Sequence, residues 1–179
     1  MINRKQQVAD VALQLFAERG YDGTSTQMIA KEAMVSEALI FKHFGNKDNL
    51  LTHIIKTGYK RTIERNRGIL QVEDPLQLVY NVIEMPYKFH KDDPMFWKLQ
   101  SRLFNVEISQ KQHEHFLQPV HSILNRAFID LGYKEPEKET AFLMMVVEAL
   151  WKIQVNKDEK SVMEMIEFIK NKYKVKKKA

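Results

Sequence analysis

Between Thr24 and Lys47 the chain gathers side chains suited to two kinds of contact, one with phosphate and one with the edges of bases. Backbone N–H groups at a helix start lack intrahelical acceptors, and hydroxyls beside them converge on an anion. Thr24, Ser25 and Thr26 occupy one such start, and Ser36 and Lys47 stand at the next two. Base edges would be met by Gln27, Glu37, Ala38, Lys42 and His43. A carboxylate can accept from a cytosine amine, an alanine can touch a thymine methyl, and an ammonium can donate to guanine. Phe41 has two readings: it packs against sugar or a thymine methyl, or it fills the core as an ordinary aromatic.

Short helices must position these groups. Ser25 is a good N-cap, and Ile29, Ala30 and Ala33 recur at helical spacing. Met34-Val35-Ser36 makes a turn, and Ser36 caps a second helix that buries Leu39, Ile40 and Phe44. Glu37, Ala38, Phe41, Lys42 and His43 are left outward. Two crossed helices with the second turned outward form a helix-turn-helix, whose second helix suits the major groove of DNA. A preceding helix starts near Asn3, carries the stripe Val8, Val11, Ala12, Leu15 and Phe16, and ends at Gly20. Gly45-Asn46 breaks the outward helix, and a fourth runs from Lys47 towards Leu70.

The whole set resembles the TetR family of one-component transcriptional regulators. The likeness rests on Phe16, Gly20-Tyr21, Thr24, Ile29-Ala30, Val35-Ser36, Phe44 and Lys47, all in the family's order and spacing. It implies that Lys47 contacts phosphate and that the protein is a repressor. It departs at two points: Met34 stands where the family usually has a glycine, and Phe41 where it usually has a tyrosine. A left-handed methionine would cost roughly 1 kcal/mol.

Beyond residue 50 the pattern stays helical, which predicts an all-α protein of about nine helices. The expected domains are a three-helix reading head over residues 1–46 and a helical effector-binding and dimerisation domain over 47–179. Asp74-Pro75 and Asp93-Pro94 are start signals, Pro86 predicts a kink or break, and Pro119 a bend. Further helices run from about Gln110 to Leu131, from Pro136 to about Val155, and from Asp158 to Tyr173. Residues 141–151, AFLMMVVEALW, are apolar almost all round. Such a helix must be covered on two sides, and the expectation is its own core on one and another subunit on the other, the alternative being a well-wrapped monomer. The stripe Val162, Met165, Ile166 and Ile169 is a further contact surface. The resemblance implies a homodimer joined through its last two helices as a four-helix bundle. A two-fold dimer would read an inverted-repeat operator in double-stranded DNA.

The resemblance also implies a small apolar or amphipathic effector bound among the middle helices, where it shifts the spacing of the reading heads. Tyr59, Tyr80, Tyr87, Phe96, Phe104, Phe116 and Met145 could line such a pocket, with Glu84, Gln100, His121 and Glu148 as polar anchors. The rival is a helix-turn-helix protein without an effector, acting through a protein partner.

An enzyme is not expected. His113 and His115 lie about 200° apart around a helix, and no H-E-x-x-H occurs. No glycine-rich phosphate loop or nucleophile elbow appears, and His90 near Asp92-Asp93 reads as a surface cluster at a helix end. No catalytic, metal or cofactor site is expected. The 179 residues contain no cysteine, which excludes disulfides and thiolate chemistry, and no apolar run long enough for a membrane span. The N-terminus lacks the apolar core of a signal peptide, so a cytoplasmic protein is expected. The net charge of +5 lies mostly in Lys56, Lys60, Arg61, Arg65, Arg67 and the lysine-rich tail, outside the helix-turn-helix. Charge thus permits DNA binding, but the motif indicates it.

Overall fold

The computed structural model describes residues 3–154 and 158–174. Among these residues the chain forms nine helices and no strand. Helix α1 (Arg4–Arg19) is capped by Asn3, whose side chain accepts from the Gln6 N–H, and it stops at Gly20 with φ 83°. Helices α2 (Thr26–Glu32) and α3 (Glu37–Phe44) begin on Ser25 and Ser36, whose hydroxyls accept from Met28 N and Leu39 N at 3.1 and 3.3 Å. Helix α4 (Lys47–Arg65) stops short of the expected Leu70, because the backbone turns through Asn66-Arg67-Gly68, with Asn66 N bonded to Ile63 O.

Helix α5 (Pro75–Asp92) continues through Pro86 rather than breaking there. Burial of Val82, Ile83, Met85 and Phe89 around the proline holds the helix despite the missing N–H. Helix α6 (Pro94–Arg102) starts on Asp93, which accepts from Phe96 N. Helix α7 (Glu107–Asp130) starts ahead of the expected Gln110 and includes the exposed Pro119. Helices α8 (Pro136–Ile153) and α9 (Glu159–Tyr173) complete the fold. The expected helix end near Val155 and the lysines beyond Lys174 lie outside the described residues. No described helix is long and apolar enough to cross a membrane.

The described residues of Met1–Thr62 and Asp93–Gln112 pack as one compact unit, and those of Ile63–Asp92 and His113–Ala179 as another. In the first, α1 carries the core residues Val8, Ala12, Leu15 and Phe16 and packs on α2, α3 and α6. Helix α4 approaches α6 at Gly58, whose missing side chain leaves room for the ring of Phe96. Tyr59 stands edge-on to Phe96 and Trp97, with ring centroids 5.3 and 5.8 Å apart, and Arg61 pairs with Asp93 at 2.8 Å.

In the second unit α5 packs on α8 and α9. Lys170 of α9 binds Glu84 of α5, and the Tyr173 hydroxyl donates to Glu139 of α8 at 2.9 Å. Leu143, Val147 and Leu150 turn α8 into this core, while Phe142 and Met145 on its other side are 49% and 64% exposed. The α9 stripe departs from expectation: Val162, Ile166 and Ile169 are buried within the unit, and Met165 with Phe168 forms the exposed apolar edge. A helix with two apolar faces can bury only one against its own fold.

The close approach of α4 to α6 yields a stability prediction. A Cβ at position 58 would fall inside the van der Waals surface of the Phe96 ring, which is fully buried. Gly58→Ala should therefore destabilise the protein by roughly 1–3 kcal/mol despite alanine's better helix propensity, as read by urea unfolding.

Candidate nucleic-acid interface

The helix-turn-helix is held at its turn by backbone bonds. Val35 N donates to Ala30 O at 3.0 Å and Met34 N to Lys31 O at 3.2 Å, and Gln7 Nε2 of α1 donates to Ala33 O at 3.0 Å. Met34 sits at φ 50°, the left-handed conformation the motif demands, and its side chain is 81% exposed. Ile29, Ala30, Ile40 and Phe44 are buried, so α3 is pressed against α1 and α2 by its inner face, with Leu39 half-buried.

The outer face carries Ala38, Phe41 and Lys42, all exposed, and Gln27 is exposed on α2. Phe41 is 46% exposed, which removes the core reading of that ring. His43 is half-buried and stands edge-on to Phe44. Ser25 and Ser36 remain at the surface as caps. Two other residues bind each other: the Thr26 hydroxyl donates to Glu37 Oε1 at 2.5 Å, joining the starts of α2 and α3. Glu37 is thus half-buried and already accepting a bond.

Thr24 requires a correction. It is fully buried, and its hydroxyl donates to Gly20 O at 2.8 Å, so it staples the turn after α1 instead of facing solvent and phosphate. A fully helix-facing hydroxyl satisfies a carbonyl that α1 leaves open at its end. Lys47 has a structural task as well. Its ammonium donates to Tyr21 O and Thr24 O at 3.1 Å each and lies 4.1 Å from the centre of the Tyr21 ring. The Tyr21 hydroxyl binds Asp48. Burial, and after it the Asp48 carboxylate, pushes the Tyr21 phenol well above its usual range, so it stays a donor. Sequence reasoning missed this cluster; Tyr21 and Asp48 are 27 positions apart, and no spacing rule joins them.

The expected effector residues fall in different places. Tyr59, Phe96, Gln100 and Phe104 belong to the first unit, where the Tyr59 hydroxyl donates to Gln100 Oε1 at 3.1 Å. Tyr80, Glu84, Tyr87, Phe116, His121, Met145 and Glu148 belong to the second. There Glu84 binds Lys170, Tyr87 binds Glu159, and Glu148 lies 3.4 Å from His113. Two positions are corrected: His121 and Met145 point outward, because their sides of α7 and α8 face away from the unit's core. An open cleft of about 340 Å³ lies elsewhere in the second unit, lined by Leu70, Val72, Pro75, Leu78, Ile123 and Arg126 among others, none of them an expected effector residue. Among the described residues no cluster could hold a metal ion.

Two predictions follow from the turn geometry. Met34→Gly should raise stability by about 1 kcal/mol in urea unfolding, because glycine adopts positive φ without the Cβ clash. Lys47→Met keeps the aliphatic stem but removes the ammonium from two carbonyls, and should cost about 1–2 kcal/mol in the same measurement.

Residues 8–54 match the family model described as "Bacterial regulatory proteins, tetR family". Over its longer extent the chain is 29% identical to the uncharacterized HTH-type transcriptional regulator YuxN of Bacillus subtilis, covering 86% of this chain and 54% of that one. It is 26% identical to IcaR of Staphylococcus epidermidis, the negative transcriptional regulator of the biofilm operon icaADBC, covering 70% and 67%. The fold is shared with the fatty acid degradation regulator FadR from Bacillus halodurans at a TM-score of 0.75 and 18% identity, over 97% and 95% of the two chains. A TetR transcription regulator from Haloarcula marismortui aligns equally well, at 0.75 and 17% identity over 97% of each chain. Residues 8–54 thus match the N-terminal domain of the TetR family of bacterial regulatory proteins, the relatives are named as transcriptional regulators, and the described length shares the fold of a solved TetR regulator.

Proposed function

We propose that the protein is a homodimeric repressor that binds an inverted-repeat operator in double-stranded DNA and is released by a small apolar or amphipathic effector. Residues 1–46 form the reading head, and residues 47–179 serve the effector and the dimer. The observation that carries the reading is the outer face of α3, where Ala38, Phe41 and Lys42 are exposed on a helix locked from behind by Ile40 and Phe44. Such a helix can enter a major groove without reorganising its scaffold. Ala38 and Phe41 suit thymine methyls and Lys42 suits guanine, while Ser25, Ser36 and Gln27 flank them for phosphate and base contacts. Lys47 reaches phosphate only if its ammonium keeps a proton for it beyond the two it gives to carbonyls, which its three donors allow. Names of relatives that include "negative transcriptional regulator" and "transcriptional repressor" support repression over activation.

The dimer reading rests on two exposed apolar stripes, Phe142 and Met145 of α8 and Met165 and Phe168 of α9. Exposed clusters of large apolar residues mark association surfaces, and a two-fold axis makes such a patch self-complementary. The same stripes also suit the rival reading, a helical domain that recruits a partner protein. Release by an effector follows from population shift: a ligand that favours the non-binding form lowers DNA affinity by its differential affinity for the two forms. The protein would act in the cytoplasm, where its operator is.

Selection of fragments from the source genome by purified protein, followed by sequencing, tests the DNA reading. Recovery of a few fragments sharing an inverted repeat is the expected result, and salt-sensitive retention without sequence preference would remove the operator model. On a recovered fragment, Lys42→Ala should relax preference at one base position of each half-site, at roughly 1–3 kcal/mol of discrimination. Lys47→Ala should weaken all sequences alike and reduce the salt slope by about one. For the dimer, Met145→Glu with Phe168→Glu should yield a monomer in analytical ultracentrifugation and lose most operator affinity; a wild-type monomer at operator-binding concentrations would favour the recruiter.

A further inference from the structure

Gln100 lies in α6 and is 7% exposed. Its Oε1 accepts from two hydroxyls on two other helices, Tyr59 of α4 at 3.1 Å and Ser109 of α7 at 2.8 Å. Its Nε2 is equally buried and meets no hydrogen-bond acceptor among the described residues. Buried polar atoms in folded proteins nearly always have partners, and one left without costs about 1–3 kcal/mol. Leucine would remove the unmatched Nε2 but leave the Tyr59 and Ser109 hydroxyls without the acceptor they now share. Because both hydroxyls donate to Oε1, they hold the carboxamide in one orientation and aim Nε2 away from themselves.

Tyr59, which meets Gln100 through its hydroxyl, belongs to a buried aromatic cluster. Tyr59, Phe96 and Trp97 stack edge to face, with centroids 5.1 to 5.8 Å apart, and are all buried. An aromatic setting whose N–H donors, Gln100 Nε2 and the buried Trp97 Nε1, are both neutral suits an acceptor that carries no charge. A carboxylate would need a cation for its burial, and the guanidinium of Arg61, two residues beyond Tyr59 and on another side of α4, is bound to Asp93.

We propose that Gln100 is the polar anchor of an effector site inside the first unit, donating from Nε2 to the carbonyl oxygen of an uncharged, mainly apolar molecule such as an ester or ketone. The proposal rests on the effector-responsive reading and gives it a site and a ligand class. The other expected anchors are committed or outward: Glu84 binds Lys170, Glu148 faces His113, and His121 is exposed. The cleft in the second unit is a weaker rival, since its polar lining groups Glu73, Ser122, Arg126 and Asp130 are all exposed.

Location links this site to the reading head by packing alone. Phe96 occupies the notch at Gly58 so tightly that a guest beside Gln100 must displace the ring or α6 itself. Helix α6 packs along α1, and α1 packs on both α2 and α3. Occupancy would therefore disturb the seat of the recognition helix within one compact unit.

The test uses full-length ¹⁵N-labelled protein with methyl octanoate, octane and octanoate as probes, and the fragment recovered by genomic selection. The Gln100 carboxamide signal, assigned by triple-resonance NMR, should move downfield with methyl octanoate and stay in place with octane or octanoate. The ester should also weaken DNA binding at least tenfold in the wild type. In Gln100→Leu, and separately in Ser109→Ala, that loss should shrink by about tenfold relative to each variant's own affinity without ester. The unliganded wild-type signal provides a control that needs no variant: a strong, ester-insensitive water cross-peak on Nε2 would identify a buried water as its acceptor and overturn the proposal. An unmoved carboxamide signal would do the same. If DNA affinity falls equally in the wild type and both variants, Gln100 is not the anchor, although the effector reading survives. If the signal moves while DNA affinity is unchanged, the ligand site stands and the effector reading falls.

Discussion

The helix-turn-helix depends on how the backbone carbonyls between α1 and α2 find donors. Helix α1 ends at Gly20, and the turn that follows leaves Gly20 O, Tyr21 O and Thr24 O without helical partners. Thr24 supplies a hydroxyl to the first, and Lys47 supplies its ammonium to the other two. Since Lys47 opens α4, one side chain ties the end of α1 to the start of α4 and encloses α2 and α3 between them. The Thr26–Glu37 bond and the Gln7–Ala33 bond then set how α2 and α3 cross. Residues that motif matching assigns to phosphate are, in part, the fasteners of the scaffold.

The two roles need not compete. An ammonium has three donors, and two are used on carbonyls. A lysine held in that way is also preorganised, so contact with a phosphate would cost little additional side-chain entropy. Thr24 differs because its one donor and its full burial leave it nothing for an outside partner. Burial, not residue type, separates the two.

The second unit is governed by a different constraint, the excess of apolar surface on α8 and α9. Helix α5 can cover one face of each, and it does so through Leu143, Val147, Val162 and Ile166. Phe142, Met145, Met165 and Phe168 stay uncovered. Polar links such as Lys170 to Glu84 and Tyr173 to Glu139 set which faces turn inward, because a partly buried charge must keep its partner. The exposed stripes follow from that choice.

Much of this was legible in the residues. Helical periodicity, the caps Asn3, Ser25, Ser36, Asp93 and Asp158, and the stops at Gly20 and Gly45 are local signals, and α1, α2, α3, α6 and α9 formed where those signals stand. The left-handed turn at Met34 was legible too, since a short crossing between α2 and α3 requires it whatever residue is there. The kink or break expected at Pro86 is not a break, because propensity is local, while the burial that keeps α5 continuous through it is not. The direction of His121 and Met145, the inward turn of Thr24, the Tyr21–Lys47–Asp48 cluster and the unmatched amide of Gln100 were decided by tertiary structure alone. Each depends on groups distant in sequence that meet only when helices pack, and helical spacing fixes which residues share a face without saying which neighbour that face will find.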